Sequence, residues 1–123
     1  VVIVHDAARP LVDDAVIERV ILPLGEGYDG VVPALPLADT VKRVERGLVI
    51  ETVDRTDLVT VQTPQAFTAS ALRAAYAGEE PVAATDCASL VEARGGRIRV
   101  VEGDVRLLKI TTGADLALVA SWL

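Results

Sequence analysis

The segment His5-Asp6-Ala7-Ala8-Arg9-Pro10 sets a carboxylate three residues before a guanidinium, directly after an apolar run. An aspartate in such a place can hold a hydroxyl or a hydrated metal ion. The small alanines let a ligand approach the backbone, and Arg9 offers a planar fork that suits phosphate. The same spacing also suits a plain Asp6–Arg9 turn salt bridge. His5 reads as structural rather than as a general base, because no second catalytic partner is evident. Asp39-Thr40-Val41-Lys42-Arg43 and Val53-Asp54-Arg55 gather further cations. Strand alternation puts Thr40, Lys42 and Val44 on one face and Val41 and Arg43 on the other. Taken singly, these charges suit a solvated strand edge that resists aggregation. Gln62-Thr63-Pro64-Gln65 is a proline turn that can present the Thr63 hydroxyl or merely lead into a helix. Thr85-Asp86 opens a helix, where unpaired N–H groups and the helix dipole favour anions, although such residues also cap most helices. Lys109 stands inside Leu107–Ile110, where its ammonium must reach a ligand, a carboxylate or water. Together these signals describe a phosphate site with two cations, Arg9 and Lys109, and two hydroxyls, Thr63 and Thr85. No residue is singled out as a metal ligand.

The elements that must position these groups alternate between strand and helix. Val1–Val4 is an apolar run without alternation and reads as a strand buried on both faces. Asp13 or Asp14 caps a helix whose Val16, Ile17, Val20, Ile21 and Leu24 form one stripe, and Pro23 ends or kinks it. Glycines 25, 27 and 30 make the return loop to a second buried strand, Val31–Leu35, which completes a βαβ unit. Thr40–Glu45 and Leu48–Asp54 then form a hairpin around Arg46-Gly47. Its dense charge and few large apolar residues predict an arm that projects from the core. Leu58–Gln62 is a further strand. Thr68 caps a helix over 69–77, with Phe67 and Leu72 as its staple and Gly78 as its stop. Another helix runs from Thr85 or Asp86 to Arg94 and ends at Gly95-Gly96. Arg97–Val101 and Leu107–Ile110 are short strands. Thr112 and Asp115 make a capping box for a last helix that buries Leu116, Val119, Ala120 and Leu123. The expectation is one α/β domain over residues 1–123 with a hairpin arm at 39–55.

Composition narrows the function. The chain has 123 residues, 51% of them apolar and 24% charged, with a mean hydropathy of +0.41. These values exclude a disordered tail and require a substantial core. No apolar run approaches the ~20 residues of a membrane span, and the start of the chain lacks the marks of a signal peptide. The net charge of −6 disfavours generic nucleic-acid binding. A single cysteine, Cys87, fits a reducing cytoplasm. A buried first strand needs neighbours on both sides, which favours the second half of a larger sheet.

Six motifs stand in a characteristic order: His5-Asp6-Ala7-Ala8-Arg9-Pro10, Asp39-Thr40-Val41-Lys42-Arg43, Val53-Asp54-Arg55, Gln62-Thr63-Pro64-Gln65-Ala66-Phe67, Thr85-Asp86 with Ala88–Glu92, and Leu108-Lys109-Ile110-Thr111. The chain closely resembles the C-terminal part of the 2-C-methyl-D-erythritol 4-phosphate cytidylyltransferases. The resemblance implies a Rossmann-like nucleotidyltransferase fold, with a mixed, mainly parallel sheet and a β-arm that builds a homodimer. It implies transfer of a cytidylyl group from CTP to 2-C-methyl-D-erythritol 4-phosphate, with release of pyrophosphate, in non-mevalonate isoprenoid synthesis. Mg²⁺ is the implied cofactor. Lys109 and Arg55 would be catalytic, positioning the acceptor phosphate. Asp6, Ala7, Arg9 and Thr85 would line the same pocket. Thr40, Arg55 and Thr63 would belong to the arm region, with Thr40 and Arg55 acting on the other subunit.

Two departures qualify these expectations. The family's glycine-rich N-terminal loop, with the arginine and lysine that hold CTP, is not found, and no lysine precedes Lys42. On this reading the chain depends on the N-terminal half of the enzyme and does not turn over alone. Cys87 also stands where the family often has glutamate. A ribitol 5-phosphate cytidylyltransferase and a non-catalytic dimerisation module are the competing readings.

Overall fold

The computed structural model describes residues 1–78 and 85–123. Strand β1 (Val2–Val4) leads through the Asp6–Arg9 turn to helix α1 (Asp14–Ile21). The Asp13 side chain caps α1 by accepting from the Val16 N–H. Pro23 acts as expected: the α-helix stops at Ile21 and tightens into a 3-10 turn over Leu22–Glu26. Strand β2 (Gly30–Pro36) follows, then the hairpin β3 (Val41–Glu45) and β4 (Leu48–Val53), and then β5 (Val59–Val61) and β6 (Gln65–Phe67). Helices α2 (Ala69–Tyr76) and α3 (Cys87–Ala93), strand β7 (Ile98–Glu102), a 3-10 turn over Val105–Leu107 and helix α4 (Gly113–Ser121) complete the described residues.

Strand β2 is the axis of the main sheet. It pairs in parallel with β7 on one edge and antiparallel with both β5 and β6 on the other. Strands β5 and β6 are therefore one line, interrupted at Gln62–Pro64. Strand β1 pairs antiparallel with β6, so β1, β2 and β7 share a direction and β5–β6 run against them. The βαβ unit is present with β6 inserted between its two strands.

Period-two alternation sends neighbouring side chains to opposite faces. Val31 and Ala66 pack with Val20 of α1, while Val32 and Phe67 pack with Ala75 of α2 and with Ala88 and Val91 of α3. The sheet thus lies between two helical layers. The hairpin stands apart as its own two-stranded sheet, turning at Arg46 (φ 50°) and Gly47 (φ 80°).

Four expectations need correction. Strand β1 is not buried on both faces: among the described residues it has one sheet neighbour, and Ile3 is exposed. Leu107–Ile110 forms no strand; Leu107 ends a 3-10 turn, and the Ile110 N–H donates to the Ala8 carbonyl (2.9 Å). On α4 only Val119 of the expected stripe is buried, and Leu116, Ala120 and Leu123 are exposed. The fourth is the strand β6, buried along its whole length, where the sequence pattern shows only a turn and a helix entry. Its three residues are too short to declare a period.

Candidate functional site

Three segments meet at the site, the loops beyond the carboxyl ends of β1 and β5 and the start of α3, and each is built by local chemistry. In the first, the Arg9 N–H donates to the Asp6 carbonyl (3.0 Å), closing a turn that brings both side chains to one side. Arg9 Nε then donates to Asp6 Oδ2 (3.3 Å), and Arg9 Nη1 donates to the Leu107 carbonyl (2.7 Å). Lys109 Nζ approaches the same Asp6 oxygen at 3.7 Å. One carboxylate therefore draws two cations together from opposite ends of the chain. Arg9 is largely buried (12% side-chain exposure), while Lys109 is half exposed (50%). Two of the five Arg9 donors are engaged among the described residues, so the remainder of the fork is available to a ligand.

The second loop is Gln62–Gln65. Thr63 Oγ1 accepts from the Asp6 N–H (3.0 Å) and lies 3.0 Å from His5 Nδ1. His5 Nε2 lies 2.9 Å from the Arg9 carbonyl, which can only accept, so this pairing selects the tautomer in which Nε2–H donates to Arg9 and Nδ1 accepts a hydrogen bond from the Thr63 hydroxyl. Both ring nitrogens are satisfied, and His5 is structural as the sequence suggested. Thr63 does not belong to the arm region; it stands where β5 meets β6 and ties the Asp6 loop to the main sheet.

The third segment is the start of α3. Asp86 caps the helix, its Oδ1 accepting from the Ser89 N–H (2.8 Å) and from the Ser89 hydroxyl. Its Oδ2 accepts from the Gln65 amide (2.9 Å), whose oxygen in turn accepts from the Ala88 N–H (3.3 Å). Burial works to raise the Asp86 pKa, but the hydrogen bonds from Ser89 and Gln65 outweigh it and hold the carboxyl below its ordinary value.

These walls enclose a cavity of about 400 Å³ lined by Asp6, Arg9, Gln62, Thr63, Thr85 and Lys109, among others. Asp6, Arg9, Thr63, Thr85 and Lys109 are thus brought together as the motifs suggested. Ala7 is exposed in the turn and is not part of the lining. Thr40 and Arg55 stay at the root of the hairpin, where Arg55 Nη1 donates to the Leu37 carbonyl (3.1 Å). Sequence reasoning missed Gln62 and Gln65, which are buried at 7% and 2% exposure and brace two of the walls. The signal was there: two glutamines flanking a turn inside an apolar stretch need buried partners.

The expectation that the chain contains no Gly-x-Gly-x-x-Gly needs correction, because the glycines at 25, 27 and 30 spell that pattern. A phosphate-binding loop of that pattern runs from a strand into a helix. Here it runs from a 3-10 turn into β2, and Gly30 is explained by packing, since a Cβ there would lie 2.6 Å from the Phe67 ring.

An α/β sheet with a cation-bearing hollow at its carboxyl ends is the framework of proteins that hold phosphorylated ligands. The full chain, residues 1–123, matches the family described as IspD, 2-C-methyl-D-erythritol 4-phosphate cytidylyltransferase, and the chain belongs to that family. It is 51% identical over 119 residues to the 2-C-methyl-D-erythritol 4-phosphate cytidylyltransferase of Saccharopolyspora erythraea, covering 96% of this chain and 53% of that one. A bifunctional enzyme IspD/IspF of Nitratidesulfovibrio vulgaris is 48% identical, covering 96% of this chain and 30% of its own length. The crystal structure of the Thermus thermophilus cytidylyltransferase superposes with a TM-score of 0.86 at 37% identity, covering 98% of this chain and 60% of that chain. The nucleotidyltransferase fold inferred from the motifs is therefore the fold found. The chain spans about half the length of the cytidylyltransferases it matches. No helix among the described residues is long and apolar enough to cross a membrane.

Proposed function

We propose that this chain supplies the acceptor-phosphate site for cytidylyl transfer from CTP to 2-C-methyl-D-erythritol 4-phosphate. The observation that carries the reading is the convergence of Arg9 and Lys109 on Asp6 at a cavity also lined by Thr63 and Thr85. Asp6 compensates one of the two cations, and the other lining carboxylate, Asp86, is engaged by Gln65 and the first turn of α3. The formal charges of the lining balance, but the Asp86 carboxylate is turned to the neutral donors of Gln65 and Ser89, which leaves Arg9 and Lys109 as the charged donors at the Asp6 side of the hollow. A phosphate monoester entering there meets the open part of the Arg9 fork and displaces Lys109 from a long ion pair.

The chemistry needs little from the protein beyond placement. A phosphate oxygen of the acceptor attacks the α-phosphorus of CTP, a new P–O bond forms, and the bond to the pyrophosphate leaving group breaks. The attacking oxygen is already ionised at neutral pH, so no general base is required, in keeping with a structural His5. Arg9 and Lys109 hold one anion in line with another and offset their repulsion.

Mg²⁺ is expected from the family, but the described residues form no all-protein site for it. Among them no cluster of three His, Cys, Asp or Glu side chains converges. The only lining carboxylate outside the helix cap, that of Asp6, is shared by two cations. No step is routed through the ion.

In this reading the arm at 39–55 builds a homodimer and carries Thr40 and Arg55 to the partner's cavity. Two observations support it: Thr40 and Arg55 do not line their own cavity, and the hairpin exposes Val44, Leu48, Val49 and Ile50. Magnesium would arrive with the nucleotide, and the enzyme would work in the cytoplasm. The test is pyrophosphate release by the intact protein with CTP and each sugar phosphate in turn. Release dependent on 2-C-methyl-D-erythritol 4-phosphate supports the reading, and preference for ribitol 5-phosphate overturns it.

A further inference from the structure

Lys109 is held without a strand to carry it, and the segment that leads to it begins at a clamp made by one buried side chain. Gln62, at the end of β5, reads both backbone groups of Asp104. Its Nε2 donates to the Asp104 carbonyl (2.9 Å), and its Oε1 accepts from the Asp104 N–H (3.0 Å). The preceding residue is a glycine because the clamp leaves no space: a Cβ on Gly103 would collide with Gln62 Oε1 and lie 3.0 Å from the Ala34 carbonyl oxygen. Asp104 then starts the 3-10 turn Val105–Leu107, and the Leu107 N–H donates back to the Asp104 carbonyl (3.0 Å). The far end of this turn is fastened twice more. The Leu107 carbonyl accepts from Arg9 Nη1, and the Ile110 N–H donates to Ala8. Lys109 lies between those two fastenings. The segment that sets the Lys109 ammonium beside Asp6 is therefore anchored at its start by the Gln62 amide and at its end by Arg9 and Ala8.

We propose that Gln62 is a positioning residue of the acceptor-phosphate site, acting on the ligand through Lys109. The inference rests on the acceptor reading above and adds to it the device that sets its half-exposed cation. Gln65 braces the opposite wall through Asp86 and Ala88 and meets Gln62 only at its backbone carbonyl (3.3 Å), leaving the Gln62 side-chain clamp untouched, and serves as the internal comparison.

The experiment is a double-mutant cycle read by calorimetric binding of 2-C-methyl-D-erythritol 4-phosphate to the intact protein. The variants are Lys109→Ala, Gln62→Met, Gln62→Glu, Gln65→Met, and the doubles of Lys109→Ala with Gln62→Met and with Gln65→Met. Lys109→Ala should weaken binding, and Gln62→Met should weaken it roughly tenfold to a hundredfold. The corresponding double should be little worse than Lys109→Ala alone, because an unplaced lysine and a missing one are nearly equivalent. Gln62→Glu keeps the acceptor for the Asp104 N–H but loses the donor, and should fall between the parent and Gln62→Met. Should Gln62→Met fail to fold, Gln62→Glu takes its place in the cycle. Additive losses of Gln62 and Lys109 would overturn the proposal, as would equal coupling of Gln65→Met to Lys109→Ala, since that marks a general collapse of the cavity. If Lys109→Ala itself leaves binding unchanged, it is the acceptor reading that fails.

Discussion

A carboxylate that holds two cations is easily mistaken for a ligand in its own right. Asp6 takes Arg9 at 3.3 Å and Lys109 at 3.7 Å, and its own N–H is fixed by Thr63. In the fold it accepts from Arg9 and holds Lys109 close, which assembles positive charge at one point. Thr63 serves the same end, because its hydroxyl joins His5 and the Asp6 backbone. Thr63→Val should leave the Asp6 N–H and His5 Nδ1 without partners. The expected cost is on the order of 1 kcal/mol or more in urea unfolding, with weaker acceptor binding. Unchanged stability would mean that water replaces the hydroxyl. Arg9→Lys tests the fork in the same way. A lysine keeps the charge but cannot reach the Leu107 carbonyl and Asp6 together. Binding of the acceptor phosphate should drop by roughly tenfold or more, as for a lost charge-assisted hydrogen bond.

Helix α3 depends on its cap more than on its length, since seven residues have little intrinsic helical stability. Asp86→Ala removes the cap and releases Gln65, and should cost about 1–2 kcal/mol near neutral pH. The acid dependence has a definite sign. The Asp86 pKa is depressed in the fold, so its contribution is complete above the ordinary value of 3.8 and is lost as pH falls through the lower folded value. Asp86→Asn should therefore be less stable than the parent at pH 7, and the gap should shrink below pH 3.8. Chemical denaturation at several pH values measures this. The depressed carboxyls of Asp54, bound by Thr56, and Asp115, bound by Thr111, bend the parent curve in the same direction. The hairpin is a second element open to test. Leu48 (73% exposed) and Ile50 (53%) have no cover within the described residues. Leu48→Glu with Ile50→Glu should convert a dimer to monomer in sedimentation, whereas a parent already monomeric at all concentrations would contradict the proposed arm contact.

At the scale of the whole molecule, what was legible in the sequence followed periodicity and capping. Asp13, Thr68, Asp86 and Thr112 all cap the helices they precede, and Gly47 takes the positive φ of the hairpin turn that glycine adopts freely. These are local preferences, decided within a few residues. The residues Asp6, Arg9, Thr63, Thr85 and Lys109 were also legible, because each unites a polar side chain with a turn or strand end. What escaped was non-local. Strand β6 exists because β1 and β2 flank it on both sides. The Lys109 segment is extended without being a strand, because it is fastened by Arg9, Ala8 and, through Asp104, by Gln62 rather than by a sheet neighbour. Leu116 and Leu123 keep helical spacing but find no facing layer among the described residues. Pattern specifies which face is apolar, not whether something covers it. The central claim is that Arg9 and Lys109, drawn together by Asp6, receive the phosphate of the acceptor. Calorimetric titration of the intact protein with 2-C-methyl-D-erythritol 4-phosphate tests it most directly. Saturable binding should be weakened roughly tenfold or more by Arg9→Ala and by Lys109→Ala. Binding that both variants leave intact would contradict it.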